Sequence, residues 1–139
     1  MKTLLYRFFG VGKIPEPLAA TLKREGILVL DEGIRGTATY RNFRAPGRYS
    51  NLKRQWYTAS IALTKARLVG LRYGQPIIDV PLTDERVRSL RFSLEGRDTL
   101  CVTFDAALFH DDWSGTIEYR FRTPQAQVFL DNLRQRVGG

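Results

Sequence analysis

The chain has 139 residues, of which 22 are Lys or Arg, 14 are Asp or Glu, one is His and one is Cys, giving a formal charge of +8. That length holds one compact domain of about 100–150 residues and excludes two large ones. With 43% hydrophobic and 12% aromatic residues there is enough apolar material for a core, while a lone Cys101 excludes an internal disulfide framework and a thiolate zinc site.

The opening run Met1-Lys2-Thr3-Leu4-Leu5-Tyr6-Arg7-Phe8-Phe9 starts basic and turns apolar. Arg7 interrupts it and no small-residue cleavage site follows a long apolar stretch, so a secretory signal is not expected. The longest aliphatic run, Ile27-Leu28-Val29-Leu30, is far short of a membrane span, and the expectation is a cytoplasmic protein. Residues 1–26 read as a helical lead-in. Leu4, Leu5, Phe8 and Phe9 have helix-like spacing, and after Pro15-Glu16-Pro17 the good helix formers Leu18 to Glu25 stop at Gly26. Gly10-Val11-Gly12-Lys13 lacks the upstream strand, the spacing and the Ser or Thr of a phosphate loop.

From Ile27 the pattern changes to short alternating segments closed by turn residues, the signature of strands. Thr37 to Arg44 is the first, and Gln55 to Thr64 the second, with Tyr57, Ala59, Ile61 and Leu63 on one face. Ala66 to Tyr73 and Pro76 to Leu82 follow, joined by a hairpin turn at Gly74-Gln75. Leu90 to Leu94 and Leu100 to Phe104 flank a turn at Glu95-Gly96-Arg97-Asp98, with Cys101 opposite the large apolar residues. The last strand places Ile117, Tyr119 and Phe121 inward and Glu118, Arg120 and Arg122 outward. Thr123-Pro124 then opens a helix as an N-cap and first-turn proline do, and Ala126, Phe129, Leu130, Leu133 and Val137 form one apolar stripe. Seven strands and a terminal amphipathic helix predict a curved sheet or small barrel with the helix over an opening.

The charge is segregated along the chain. Between Gly33 and Ile78 there is no acidic residue, while Arg35, Arg41, Arg44, Arg48, Lys53, Arg54, Lys65, Arg67 and Arg72 supply nine positive charges; the remainder, with 13 basic and 14 acidic residues, sums to −1. An unbalanced basic surface attracts phosphate-bearing ligands, anionic membranes or nucleic acid.

The element order, together with Ser60-Ile61-Ala62-Leu63-Thr64-Lys65-Ala66-Arg67-Leu68-Val69-Gly70-Leu71, resembles the pleckstrin-homology-like superfold, particularly its bacterial PH and GRAM-type branch. There a strand ending in Leu-Thr leads through a short basic turn into an Arg-Leu-Val type strand, and a terminal helix plugs the barrel. The resemblance covers residues 27–137 and implies a mainly β domain over 27–139: a seven-stranded curved barrel or orthogonal sandwich capped by the C-terminal helix, preceded by the lead-in. It also implies a non-enzymatic binding module whose basic first loop engages phosphate-bearing headgroups or a similar polyanion at a membrane surface. The matching positions are Arg41, Arg44, Arg48, Lys53 and Arg54, with Arg72 and Tyr73 approaching the same end and Tyr49 and Leu52 touching the bilayer. Guanidinium forks suit phosphate oxygens, and a Lys ammonium adds a mobile point charge.

One departure from the family pattern stands beside that reading. The connection before the last strand, which the family places near the ligand, carries Asp105, His110, Asp111 and Asp112 and no basic residue, so these acids have the chance to neutralise the loop. The alternative is a protein adapter or self-associating module that uses a sheet edge or the helix groove, its arginines serving solubility. Nucleic acid ranks third, on Tyr40, Phe43, Tyr49, Trp56 and Tyr57 interleaved with the basic residues. No cofactor or metal is expected, because His110-Asp111-Asp112 is too local to converge on one ion.

Overall fold

The computed structural model describes residues 2–3 and 13–137. In chain order these form helix α1 (Glu16–Glu25), strands β1 (Ile27–Ala45), β2 (Arg48–Ser50), β3 (Lys53–Thr64), β4 (Arg67–Arg72), β5 (Gln75–Pro81), β6 (Arg91–Glu95), β7 (Thr99–Asp105) and β8 (Ser114–Arg122), and helix α2 (Ala126–Val137). Short 3-10 turns at Glu85–Ser89 and Ala106–Leu108 make the connections on either side of β6 and β7. The helical spacing of Leu4, Leu5, Phe8 and Phe9 falls outside the described residues.

All strand pairs are antiparallel, and the sheet runs β5-β4-β3-β1-β8-β7-β6, with β2 continuing β3 alongside the end of β1. The sheet curls into a half-barrel whose two end strands, β5 and β6, are not paired to each other. The chain is therefore mainly β with a C-terminal helix.

β1 is the spine, 19 residues long and paired on both sides. Alternation places its first strand residue at Thr37, but the strand begins ten residues earlier. Ile27 to Gly33 does not alternate because that stretch is covered on both faces: Val29 belongs to the main core inside the curl, while Leu30 packs on the outer face beneath α1. A strand buried on both faces reads as a continuous apolar run.

The inner face of the curl holds Ile34, Ala38, Tyr40, Phe43, Tyr57, Ile61, Leu63, Ile117, Tyr119 and Phe121, closed by Ala126, Phe129, Leu130 and Leu133 of α2. The α2 stripe is thus the one seen in the sequence. Its α-helical turns begin at Ala126, after a turn through Pro124-Gln125 in which the Thr123 hydroxyl accepts from Gln125 N at 3.1 Å. The same hydroxyl donates to Asp31 Oδ2 at 2.6 Å, and Lys2 Nζ donates to Asp31 Oδ1 at 2.7 Å. A carboxylate buried on β1 therefore gains the partners it needs while tying the start of α2 to the sheet.

α1 lies on the outer face of β1, β3 and β4. Its fully buried Leu22 packs with Ile14, Ala62, Val69 and Leu71, and Ile14 N donates to Glu32 Oε2 at 2.9 Å. The β4–β5 turn is centred on Tyr73-Gly74, one residue earlier than the Gly74-Gln75 expectation. Both central residues have positive φ, 48° and 80°, as the hairpin turn that matches strand twist requires.

Candidate functional site

The segment expected to be a basic loop is instead a long hairpin. β1 runs on to Ala45, reverses through Pro46-Gly47, and returns as β2 paired Phe43↔Ser50, Arg44↔Tyr49 and Ala45↔Arg48. Backbone pairing needs no apolar side chains, so a polar stretch can be strand where both arms project beyond their neighbours. Asn51 and Leu52 interrupt the return arm: Leu52 takes φ 58°, Asn42 opposite takes φ 48°, and Asn42 N donates to Asn51 Oδ1 at 3.1 Å. The irregularity turns Leu52 outward, 63% exposed, near Tyr49 at 59%.

The basic residues assigned to this region separate by the faces of the strands. Arg41 lies opposite the polar side of β8 and its Nε donates to Glu118 Oε1 at 2.8 Å, so its charge is already matched. Burial pushes the Glu118 carboxyl up, but hydrogen bonds from Arg41 and Arg120 outweigh it and hold the group below the ordinary carboxylate range. Arg44 lies over the Tyr49 ring at 5.1 Å, and Arg48 over Phe43 at 5.9 Å; the two arginines share a shallow depression at the turn with Gly47 and Tyr49. Arg72 reaches toward the hairpin from the end of β4, donating to Gln55 Oε1 at 3.1 Å and lying over Tyr57 at 5.8 Å. Lys53 is exposed at the start of β3. Arg54 faces the other way, into a pocket on the outer side of the sheet with Arg35, Thr37 and Trp56.

Among the described residues, Arg44, Arg48, Lys53, Arg54 and Arg72 make no ion pair. No family model and no curated protein matches this chain.

The acidic connection does come close to the hairpin, through its aromatic residues. Trp113 meets Phe43 edge-on at 5.3 Å, and His110 stacks on Trp113 at 3.6 Å. Asp111 and Asp112 are exposed and form no ion pair with the basic residues, and the Asp105 carboxylate caps Ala107 N at 2.9 Å. The tip keeps its positive charge at contact range. Among the described residues no group of three His, Cys, Asp or Glu side chains is placed to hold a metal, and no helix is long and apolar enough to cross a membrane. Cys101 is buried on the outer side of β7 with Thr103 Oγ1 at 3.7 Å.

Two exposed rings lie beside the hairpin: Trp56, named in the sequence only for the nucleic-acid reading, and Tyr73, expected at this end together with Arg72. Trp56, 60% exposed, and Tyr73, 47% exposed, share a surface depression with Gln55, Tyr57 and Arg72 beside the hairpin. Alternation carried the signal for Trp56, which sits one position before the inward Tyr57 and so must face out. Tyr73, expected just before the turn, lies in the turn itself.

Proposed function

We propose that this domain is a non-enzymatic, PH-like binding module that docks on phosphate-bearing membrane headgroups through the tip of the β1–β3 hairpin. The observation that carries the reading is the combination along that hairpin: four cations without carboxylate partners, Arg44 and Arg48 at its tip and Lys53 and Arg72 toward its base, with two exposed apolar side chains, Tyr49 and Leu52. Cations are attracted to the anionic headgroups while an aromatic and an aliphatic tip enter the interface, and each compensates the weakness of the other. The strand order, with a long first strand shared by both halves of the curl and a terminal helix inside it, supports the PH-like reading. On this reading the protein acts in the cytoplasm, peripheral to a membrane. Arg41 is withdrawn from the binding set, because Glu118 already matches it, and Arg54 contributes only from the side.

Co-sedimentation with vesicles tests the proposal. Retention on phosphatidylserine-containing vesicles, absence from neutral phosphatidylcholine vesicles and release by salt are expected; equal recovery with both at low salt refutes it.

A second reading, a protein adapter, has its own observation. The free edge of β6 lies beside a groove between β6 and α2, in which Leu90, Phe92, Leu130 and Leu133 are flanked by Arg88, Arg91 and Arg134. An extended acidic segment added to that edge would satisfy both the backbone and the arginines. The β6 amides would then be protected from exchange by a partner, while the hairpin amides would not.

A further inference from the structure

The outer face of the half-barrel is divided. α1 covers its apolar half, and the other half is an open polar ladder whose rows follow the strand register. One row is Trp56, Thr37, Arg120 and Cys101, from the pairings Thr37↔Trp56, Thr37↔Arg120 and Cys101↔Arg120. Around that row lies a pocket of about 410 Å³ with Arg35, Arg54 and Arg122 on its walls and Glu95 and Asp98 at one side. Its volume is within the range that small ligands occupy.

Four guanidiniums line the pocket with two carboxylates; counting Glu118, which pairs with Arg120, and Arg41, which shares it, five guanidiniums face three carboxylates, an excess of two positive charges. The pairing within the pocket is specific. Arg120 is held by Glu95 at 2.8 Å and by Glu118 at 3.0 Å, and Arg122 by Asp98 at 3.3 Å. The charge left over belongs to Arg35 and Arg54, neither of which has an ion-pair partner among the described residues. Arg35 lies over the Trp56 ring at 5.7 Å. Between them, Thr37 is only 6% exposed and its hydroxyl is the one buried side-chain polar atom among the described residues with no hydrogen-bond partner. Buried hydroxyls are ordinarily satisfied, so an unpartnered hydroxyl at the base of a pocket with two unpaired guanidiniums sets what chemistry the pocket suits.

From this we infer that the outer pocket is a binding site for a phosphomonoester. Its phosphate takes the Thr37 hydroxyl and the Arg35 and Arg54 guanidiniums, and its organic part lies against Trp56. A phosphomonoester carries a charge of about −1.5 to −2 at neutral pH with three strong acceptor oxygens, which matches the surplus of two charges and gives one oxygen to each of the three donor groups. A carboxylate would leave one charge over. The site is separate from the hairpin tip: it lies on the opposite side of β3 from Lys53, and Arg35 and Thr37 belong to neither the turn nor its bulge.

The experiment uses the full chain with Trp113→Phe, which leaves Trp56 as the only tryptophan, and titrates inorganic phosphate, phenyl phosphate and phenol while following Trp56 fluorescence. Saturable change with phenyl phosphate, weaker binding of inorganic phosphate and no response to phenol are expected. Arg35→Gln and Thr37→Val, each checked for native circular dichroism, should weaken phenyl phosphate about tenfold, as loss of a hydrogen bond to a charged group does. Arg48→Gln with Lys53→Gln should leave the affinity unchanged, so failure of the membrane proposal and of this one are distinguishable. No saturable response to either phosphate, or a response that Arg35→Gln and Thr37→Val leave intact, overturns the site. Equal affinity for phenyl phosphate and inorganic phosphate overturns the assignment of an organic ligand.

Discussion

Replacing Arg48 and Lys53 together with Gln removes two of the four unpaired cations along the hairpin while keeping side-chain length and polarity. Neither residue has an ion-pair partner among the described residues, so the change leaves no buried charge behind and should not lower stability. Each Lys or Arg near an anionic surface is worth about 1 kcal/mol, so the double variant should lose about 2 kcal/mol of membrane affinity, roughly 30-fold in partition coefficient. The matched control is Lys23→Gln with Arg24→Gln, which takes the same two charges from the last turn of α1, next to the start of β1. β1 has 19 residues, a contour of about 60 Å at about 3.3 Å per residue. Even though the strand bends, its two ends are several Debye lengths apart at physiological salt, where that length is about 8 Å. Binding to phosphatidylserine vesicles, measured against lipid concentration at low and physiological salt, should fall in the hairpin variant and stay near wild type in the α1 variant. If both variants lose affinity equally, net charge and not the hairpin drives binding; if neither does, the tip is not the contact surface. Either outcome refutes the assignment.

How far the sequence carries to this point depends on which faces of each element meet water. β8 was legible in full because its inner face is core and its outer face solvent, so Ile117, Tyr119 and Phe121 alternate cleanly with Glu118, Arg120 and Arg122. α2 was legible for the same reason at the helical period. Residues 27–33 of β1 were not, because α1 covers their outer face and removes the alternation. The hairpin arms were hidden by the opposite condition: exposed on both faces near the tip, they carry polar residues throughout and look like a loop, while the ladder that makes them strands is a backbone property. The pairing of Arg41 with Glu118 spans 77 positions, and nothing local to either residue announces it. The outer pocket is similarly non-local, since β1, β3, β7 and β8 contribute to it in a register that only the assembled sheet sets. Charge segregation drew attention to the hairpin, but a count along the chain cannot tell that Lys53 leaves the sheet on one face and Arg41 and Arg54 on the other.

Three other perturbations test the architecture that presents these surfaces. Leu22→Ala should cost about 2–3 kcal/mol by urea denaturation, toward the low end for a buried leucine because the small cluster under α1 is near the surface and can partly collapse; a loss near zero would mean that α1 is not anchored on the sheet. Gly115 has φ 99°, and a Cβ there would stand 2.5 Å from Asn42 O and 2.7 Å from Arg41 O, so Gly115→Ala should destabilise by about 3 kcal/mol through strain and overpacking. Gly47→Ala at the open turn, with nothing within 4 Å of the added carbon, should cost only about 1 kcal/mol, and equal losses in the two variants would contradict the close approach of β8 to the β1 bulge. The last test concerns acid. Hydrogen bonding from Arg120 holds the Glu95 carboxyl below its usual range, and in Glu118 the bonds from Arg41 and Arg120 overcome burial to do the same. Both groups therefore bind protons more weakly folded than unfolded, where a glutamate titrates near about 4.3. The stability they contribute is fully present above that pH and is lost as pH falls through their lower folded values, because protonation is then linked to unfolding. Glu118→Gln should make the protein less stable at neutrality and flatten its loss of stability on acidification, measured by urea denaturation from neutral pH to below the carboxylate range. An acid limb as steep as wild type would show that Arg41 and Arg120 are not held by Glu118, and Arg41 would return to the set of free cations at the hairpin.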